Sequence, residues 1–182
     1  IIEAITIDMG LGMDYSGIDA LCKELDVPFH LIKTEIGPII FDHRKEKNPC
    51  SMCSKMRRGA LNQALLDLGL NKLALGHHFD DVIETVLMSM CYSSEIKTML
   101  PKLHSTNFEG MQLIRPLYRV KEGDIISWAN YNGLRFLQCA CKLTQDSKDR
   151  EDLSKRKETK ALIKYMKTIN PHADDNIFRS LH

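Results

Sequence analysis

Apolar positions along this chain alternate between short unbroken runs and runs spaced three and four apart. Residues 2–8, IEAITID, form an apolar stretch ending in Asp8, and Met9-Gly10-Leu11-Gly12 follows, which reads as a strand entering a glycine turn. Ile18, Leu21, Cys22 and Leu25 then recur at helical spacing until Asp26-Val27-Pro28, after which FHLIKTEI predicts a second strand. A helix is predicted over 55–68, with Met56, Ala60, Leu61, Ala64, Leu65 and Leu68 on one stripe and Gly69 past its end. Lys72 to Leu75 reads as a strand that breaks at Gly76, and Val82, Ile83, Val86, Leu87 and Met90 predict a helix over 82–92. Met111 to Leu117 reads as a strand, Glu122 to Tyr131 as a helix closed by Asn132-Gly133, and Arg135 to Leu137 as a last strand. Leu153, Ala161, Leu162, Tyr165, Met166 and Ile169 predict a basic amphipathic helix stopped by Pro171.

Strands alternating with helices of about a dozen residues imply an α/β protein with a doubly wound, mostly parallel sheet. Ligands of such sheets sit past the carboxyl ends of the strands. Two strand ends are chemically loaded, Asp8-Met9-Gly10 and Gly76-His77-His78. Length predicts one main domain over 1–141 and a basic helical extension over 142–182. No apolar run approaches the roughly 18 residues that span a bilayer and no signal pattern opens the chain, so a soluble, cytoplasmic protein without a membrane partner is expected.

Charge and cysteine placement add chemistry. The net charge of +1 hides an acidic opening, with eight acids against two lysines over 1–42. Residues 43–58 reverse it with six Lys/Arg against one Glu, and residues 142–170 hold nine against five acids. Two basic segments hint at a polyanionic partner, although a solvated surface explains charge alone as well. Lys55, Arg57 and Arg58, backed by Arg44, Lys45 and Lys47, form a candidate phosphate-gripping rim. Aromatic content is low, with one Trp and five Tyr, and marks no base-stacking platform.

The densest constellation is Gly76-His77-His78-Phe79-Asp80-Asp81-Val82-Ile83-Glu84-Thr85 at a strand-to-helix turn. Capping explains part of it, because Asp80 or Asp81 with Glu84 can serve as an N-cap and its partner. The histidines need more. Gly76 admits close backbone approach, free helix-start N–H groups suit phosphate, and a neighbouring carboxylate can hold the Mg²⁺ that accompanies ATP. A hydrolytic metal centre on His77, His78, Asp80 and Asp81 fits less well, since neither a HExxH pair nor a distant histidine cluster accompanies them. Cys50 and Cys53 open a helix as a CxxC pair, and Cys139 and Cys141 follow later. Four thiolates suit structural Zn²⁺, three suit an iron–sulfur cluster with an open iron position, and a redox dithiol is a third reading. Cys22 and Cys91 fall on apolar helical faces and are expected in the core.

Together, GHHFDDVIETVLMSM, KTMLPKL, IRPLYRVKEGDI and CSMCSKMRRGAL resemble the tRNA 2-thiocytidine biosynthesis family of PP-loop ATP pyrophosphatases, over about Ile1 to Gln145. The GHHxDDxxET block also fits lysidine synthetases, whereas the CxxC, the RRG behind it and the late cysteine point to the sulfur-inserting branch. The resemblance implies an adenine nucleotide alpha hydrolase type of fold and an ATP-dependent tRNA sulfurtransferase. ATP adenylates the C2 oxygen of a cytidine, and sulfur then displaces AMP by way of a [4Fe-4S] cluster. Asp80, Asp81, Cys50 and Cys53 are the implied catalytic residues, and Asp8, Met9, Gly10, Gly76 and His77 the implied nucleotide-binding ones. Cys50 and Cys53 would be cluster ligands with Cys141 or Cys139, where the family's CxxC has become Cys139-Ala140-Cys141. The implied partners are tRNA through Lys55, Arg57 and Arg58, a sulfur donor such as a cysteine desulfurase, and a second copy in a homodimer. Arg115 lies in the RPL motif and is expected to be structural. The family's SGGxDS phosphate loop is not found; Ser16-Gly17-Ile18-Asp19 lacks its second glycine and follows the wrong strand. Because Ile1 to Asp8 matches the strand after that loop, the loop segment is expected to be missing upstream, and residues 1–182 alone are expected not to hydrolyse ATP. Two alternatives are a lysidine-synthetase-like or other ATP-dependent base modification, and a zinc-stapled, non-catalytic RNA-binding protein.

Overall fold

Three consecutive β-branched residues, Ile5, Thr6 and Ile7, give β1 (Ala4–Asp8), and the helical spacing after it gives α1 (Ser16–Glu24), which buries Cys22. The chain turns back at Asp26, at φ 53, into β2 (Phe29–Lys33). β2 lies parallel to β1 in register from Ala4 opposite Phe29 to Asp8 opposite Lys33. The strand expected through Ile36 stops at Lys33, because Gly37 and Pro38 lead instead into a helical turn, α2 (Ile36–Pro38), and a π-helical turn (Ile39–His43). In the computed structural model residues 1–44, 49–106, 108–135 and 151–181 are described, with backbone alone for 50 and 151–154.

The first unit is completed by α3 (Pro49–Asp67). Met56, Ala60 and Leu61 of its predicted stripe pack with Met52 and Cys53 against Ile7, Ile36 and Ile40. Ala64 and Leu65 are buried further along, and the helix closes past Leu68 with Leu70 N–H donating to the Leu65 carbonyl.

The second unit is built around β3 (Lys72–Ala74), β4 (Lys102–His104) and β5 (Gln112–Ile114) in the order β3-β5-β4. β3 and β5 run parallel, and β4, absent from the sequence pattern, is antiparallel to β5. Its helices are α4 (Phe79–Ser93), α5 (Glu122–Tyr131), α6 (Glu151–Ile169) and α7 (Ala173–Arg179). Its core joins Phe79, Val82 and Ile83 of α4 to Tyr118, Ile163 of α6 and Phe178 of α7. Phe178 stacks on Phe79 at 4.6 Å between ring centroids and tilts against Tyr118 at 5.2 Å. Among the described residues, chain proximity divides the molecule into these two units, before and after the Asn71–Lys72 junction.

Two expectations are corrected. Cys91 is exposed on α4 rather than in the core, and Met90 beside it is also exposed. On α6 the buried positions are Thr159 and Ile163, whereas Leu162, Tyr165 and Ile169 of the predicted apolar stripe face solvent. The face that packs carries Ile163, in the core with Phe79 and Phe178, together with Arg156 and Lys160, which meet carboxylates of α4 and α5. The strand expected at Arg135–Leu137 falls largely outside the described residues.

Candidate nucleotide-binding turn and cysteine motif

Past β3, Leu75 N–H still bonds the Ile114 carbonyl at 3.0 Å, and the chain then leaves the sheet through Gly76, His77 and His78. His78, extended at φ −122 and ψ −177, is the N-cap of α4. Phe79 N–H, which a helix leaves without an internal acceptor, donates to the Val120 carbonyl at 3.0 Å. Asp81 Oδ2 accepts from His78 N–H at 3.1 Å, so Asp81 supplies the backward half of the cap that the sequence placed on Glu84. Asp80 Oδ2 accepts from Glu122 N–H at 2.7 Å, joining the starts of α4 and α5. The His78 ring lies 3.7 Å from Asp80 and 3.4 Å from Asp81.

Glu84 is not a capping residue. It is 2 % exposed, with Arg156 Nη1 at 3.2 Å and Lys160 Nζ at 3.7 Å. The same Arg156 nitrogen donates to Asp81 Oδ1 at 3.0 Å, and Lys160 reaches Glu122 at 3.0 Å. Burial raises the Glu84 carboxyl above its usual range although Lys160 and Arg156 oppose the shift. Burial would raise Asp81 too, but the His78 N–H, the His78 ring and Arg156 together bring it below the usual range. Burial, then the charge of Arg115, pushes His77 down, so its imidazole is neutral at pH 7. His77 Nδ1 is enclosed without a hydrogen-bond partner among the described residues. Arg115 donates through its guanidinium to the Leu100 carbonyl, in keeping with the structural role expected of it. A cleft of about 330 Å³ opens beside the turn, lined by Asp80, Glu84, Glu122, Lys160, Lys164 and Asp174 among others. Arg156, Lys160 and Glu122 were not singled out in the sequence; the i,i+4 pair of cations on a helix that also carries Ile163 was the available signal.

The other strand end lies in the first unit. Asp8 Oδ1 accepts from Gly10 N–H at 3.0 Å and from the Tyr15 hydroxyl at 3.3 Å, while its carbonyl accepts from Thr34 Oγ1 at 2.7 Å. Gly10 sits at φ 72, and a Cβ there would stand 2.9 Å from the Thr34 carbonyl oxygen. Gly37 donates to the Met9 carbonyl at 2.8 Å, an approach a Cβ would block, since it would lie 2.6 Å from that oxygen. Asp8, Met9 and Gly10 thus form a tightly tied turn.

Cys50 and Cys53 fall in the first turn of α3, as expected of a CxxC that opens a helix. Cys53 is partly buried against the Ile7, Ile36 and Ile40 cluster. Lys55, Arg57 and Arg58 of the same helix are exposed. Cys139 and Cys141 lie outside the described residues. Among the described residues, no three His, Cys, Asp or Glu side chains converge as a metal site, and no helix is long and apolar enough to cross a membrane.

Parallel strand pairs with helices, and a polar turn at the carboxyl end of β3, define an α/β protein of the doubly wound class. The chain belongs to the PP-loop domain family, whose model matches residues 3–151. It is 36% identical over 165 residues to the tRNA-cytidine(32) 2-sulfurtransferase of Janthinobacterium sp. (strain Marseille), covering 90% of this chain and 50% of that protein. It is 37% identical over 160 residues to the protein of the same name from Burkholderia cenocepacia (strain HI2424), covering 87% of this chain and 46% of that one. The chain therefore spans about half the length of these curated relatives. A solved structure, the U34-tRNA thiolase NcsA from Methanococcus maripaludis with its [4Fe-4S] cluster, superposes with a TM-score of 0.72 over 97% of this chain and 60% of that one. At 23% identity that likeness establishes the fold.

Proposed function

We propose that the chain is part of an ATP-dependent tRNA sulfurtransferase that inserts sulfur at C2 of a cytidine. The observation that carries this reading is the 36% identity to tRNA-cytidine(32) 2-sulfurtransferases across 90% of the chain. The polar turn after β3 and the CxxC in α3 are compatible with it. The C2 oxygen of the cytidine attacks the α-phosphate of ATP and pyrophosphate leaves; sulfur then adds at C2 and AMP departs with that oxygen. His77, held neutral, is available as an uncharged hydrogen-bonding group beside the nucleotide. Asp80 lines the cleft and is the carboxylate of the turn that would hold Mg²⁺.

The donor chemistry of the cysteine motif fits an iron–sulfur cluster: two thiols three apart at a helix start, one of them against an apolar surround. Cys50 and Cys53, with Cys141 or Cys139, would hold it. Bound there, a [4Fe-4S] cluster with three protein ligands would supply one open iron position for sulfur. Lys55, Arg57 and Arg58, exposed on the same helix, would grip tRNA phosphates.

The test is transfer of labelled sulfur to tRNA by the full-length protein, with ATP and a sulfur donor, purified without oxygen. Wild type and Cys91→Ser are expected to label tRNA and to contain iron and acid-labile sulfide, while Cys53→Ala loses all three. A blank wild-type assay would remove thiolation. Zinc in place of iron would turn the cysteines into a structural staple.

A further inference from the structure

We propose that Arg156 is a positioning residue: from α6 it holds Asp81, and through Asp81 the His78 cap, so that the turn between β3 and α4 keeps one conformation. The inference rests on the reading of that turn as the nucleotide-facing element. Both oxygens of Asp81 are engaged, Oδ1 by Arg156 at 3.0 Å and Oδ2 by His78 N–H at 3.1 Å. The carboxylate is therefore a strut between α6 and the cap. Its neighbour differs, because Asp80 uses Oδ2 on Glu122 N–H and lines the cleft. Arg156 is itself held by Glu84, which is 2 % exposed and 3.2 Å away. One guanidinium nitrogen thus ties two successive turns of α4 to α6, and Lys160, contacting Glu84 and Glu122, ties α6 to the start of α5. Glu84 is buried while Arg156 and Lys160 are partly exposed, so these pairs add little net stability, yet losing a cation leaves the buried carboxylate uncompensated, and the cluster acts chiefly on geometry. A turn released by as little as 1 Å can cost about 100-fold in rate.

The experiment compares wild-type full-length protein with Arg156→Ala and Arg156→Lys. Hydrogen exchange read by mass spectrometry needs no activity, and the expected result for Arg156→Ala is exchange about tenfold faster in peptides spanning residues 77–81, with α7 unchanged. In sulfur transfer, kcat for Arg156→Ala falls about 100-fold per folded molecule, KM for tRNA stays within threefold, and Arg156→Lys recovers part of the loss. Unaltered exchange at 77–81 overturns the proposal, as does faster exchange with kcat unchanged. Loss of activity in step with loss of folded protein, with no rescue by lysine, overturns it too. A wild type that transfers no sulfur defeats the thiolation reading instead, and exchange then still decides whether Arg156 holds the turn.

Discussion

Replacing Phe178 with alanine should loosen the start of α4 although the residue lies about 100 positions later in the chain. Phe178 is 8 % exposed and packs with Phe79, Val82, Ile83, Tyr118 and Ile163. Burying a phenylalanine side chain contributes about 1.5–3 kcal/mol. Its stacking on Phe79 and tilted contact with Tyr118 add about 1 kcal/mol. The sum, about 2.5–4 kcal/mol, overlaps the usual cost of about 3–5 kcal/mol for removing a buried phenylalanine. Phe178→Leu, which keeps more of the volume, should cost roughly 1–1.5 kcal/mol. Urea unfolding followed by circular dichroism measures the loss, and hydrogen exchange assigns it. Protection should fall in α7 and also in peptides covering Phe79 to Ile83, because the stacked ring is their shared wall. A loss below about 1 kcal/mol, or an exchange change confined to residues 173–179, would refute the reasoning.

Two more outcomes follow from local geometry. Gly10→Ala meets both a left-handed backbone and the Thr34 carbonyl 2.9 Å from its Cβ, so it should destabilise the first unit by about 2 kcal/mol or more in the same unfolding assay. Asp81 and Asp174 have folded pKa values below the ordinary aspartate value of about 3.9, so the stability they contribute is present above that value and is lost as pH falls through their lowered folded values. Glu84 has the opposite sign, its raised pKa favouring the fold below the ordinary glutamate value and losing that contribution as pH rises through the folded one. Unfolding free energy against pH should therefore show a flatter acid limb in Asp81→Asn, and no flattening would contradict the assignment.

Most elements were legible because apolar spacing is a local property that packing preserved. The α3 stripe is buried on Ala64 and Leu65, and Asn132-Gly133 closes α5 where the pattern ended. The misses share a cause. At β4 only three residues pair, and all three are exposed, so no alternation could mark it. At α6 an apolar stripe was present but was not the packed face: the face that packs carries Ile163 with Arg156 and Lys160, whose partners lie on other helices. Hydropathy periodicity cannot register that choice.

The site divides along the same line. A motif such as Gly76 to Glu84 announces that chemistry is concentrated there, but not which of its carboxylates is spent on the protein itself. Spacing offered Asp80 and Asp81 alike for capping or metal and Glu84 as a capping partner, and long-range partners separate them. Asp81 is consumed by the cap and by Arg156, 75 residues away in sequence. Glu84 also lines the cleft but is consumed by two cations of α6, whereas Asp80 in the cleft wall bonds the start of α5 and, among the described residues, meets neither of those cations. A turn whose Asp81 and Glu84 carboxylates are held by cations needs the helix that supplies those cations. Arg156 and Lys160 of α6 therefore help to shape the turn, and Asp80 is the member of the block whose replacement by asparagine should affect chemistry most and packing least.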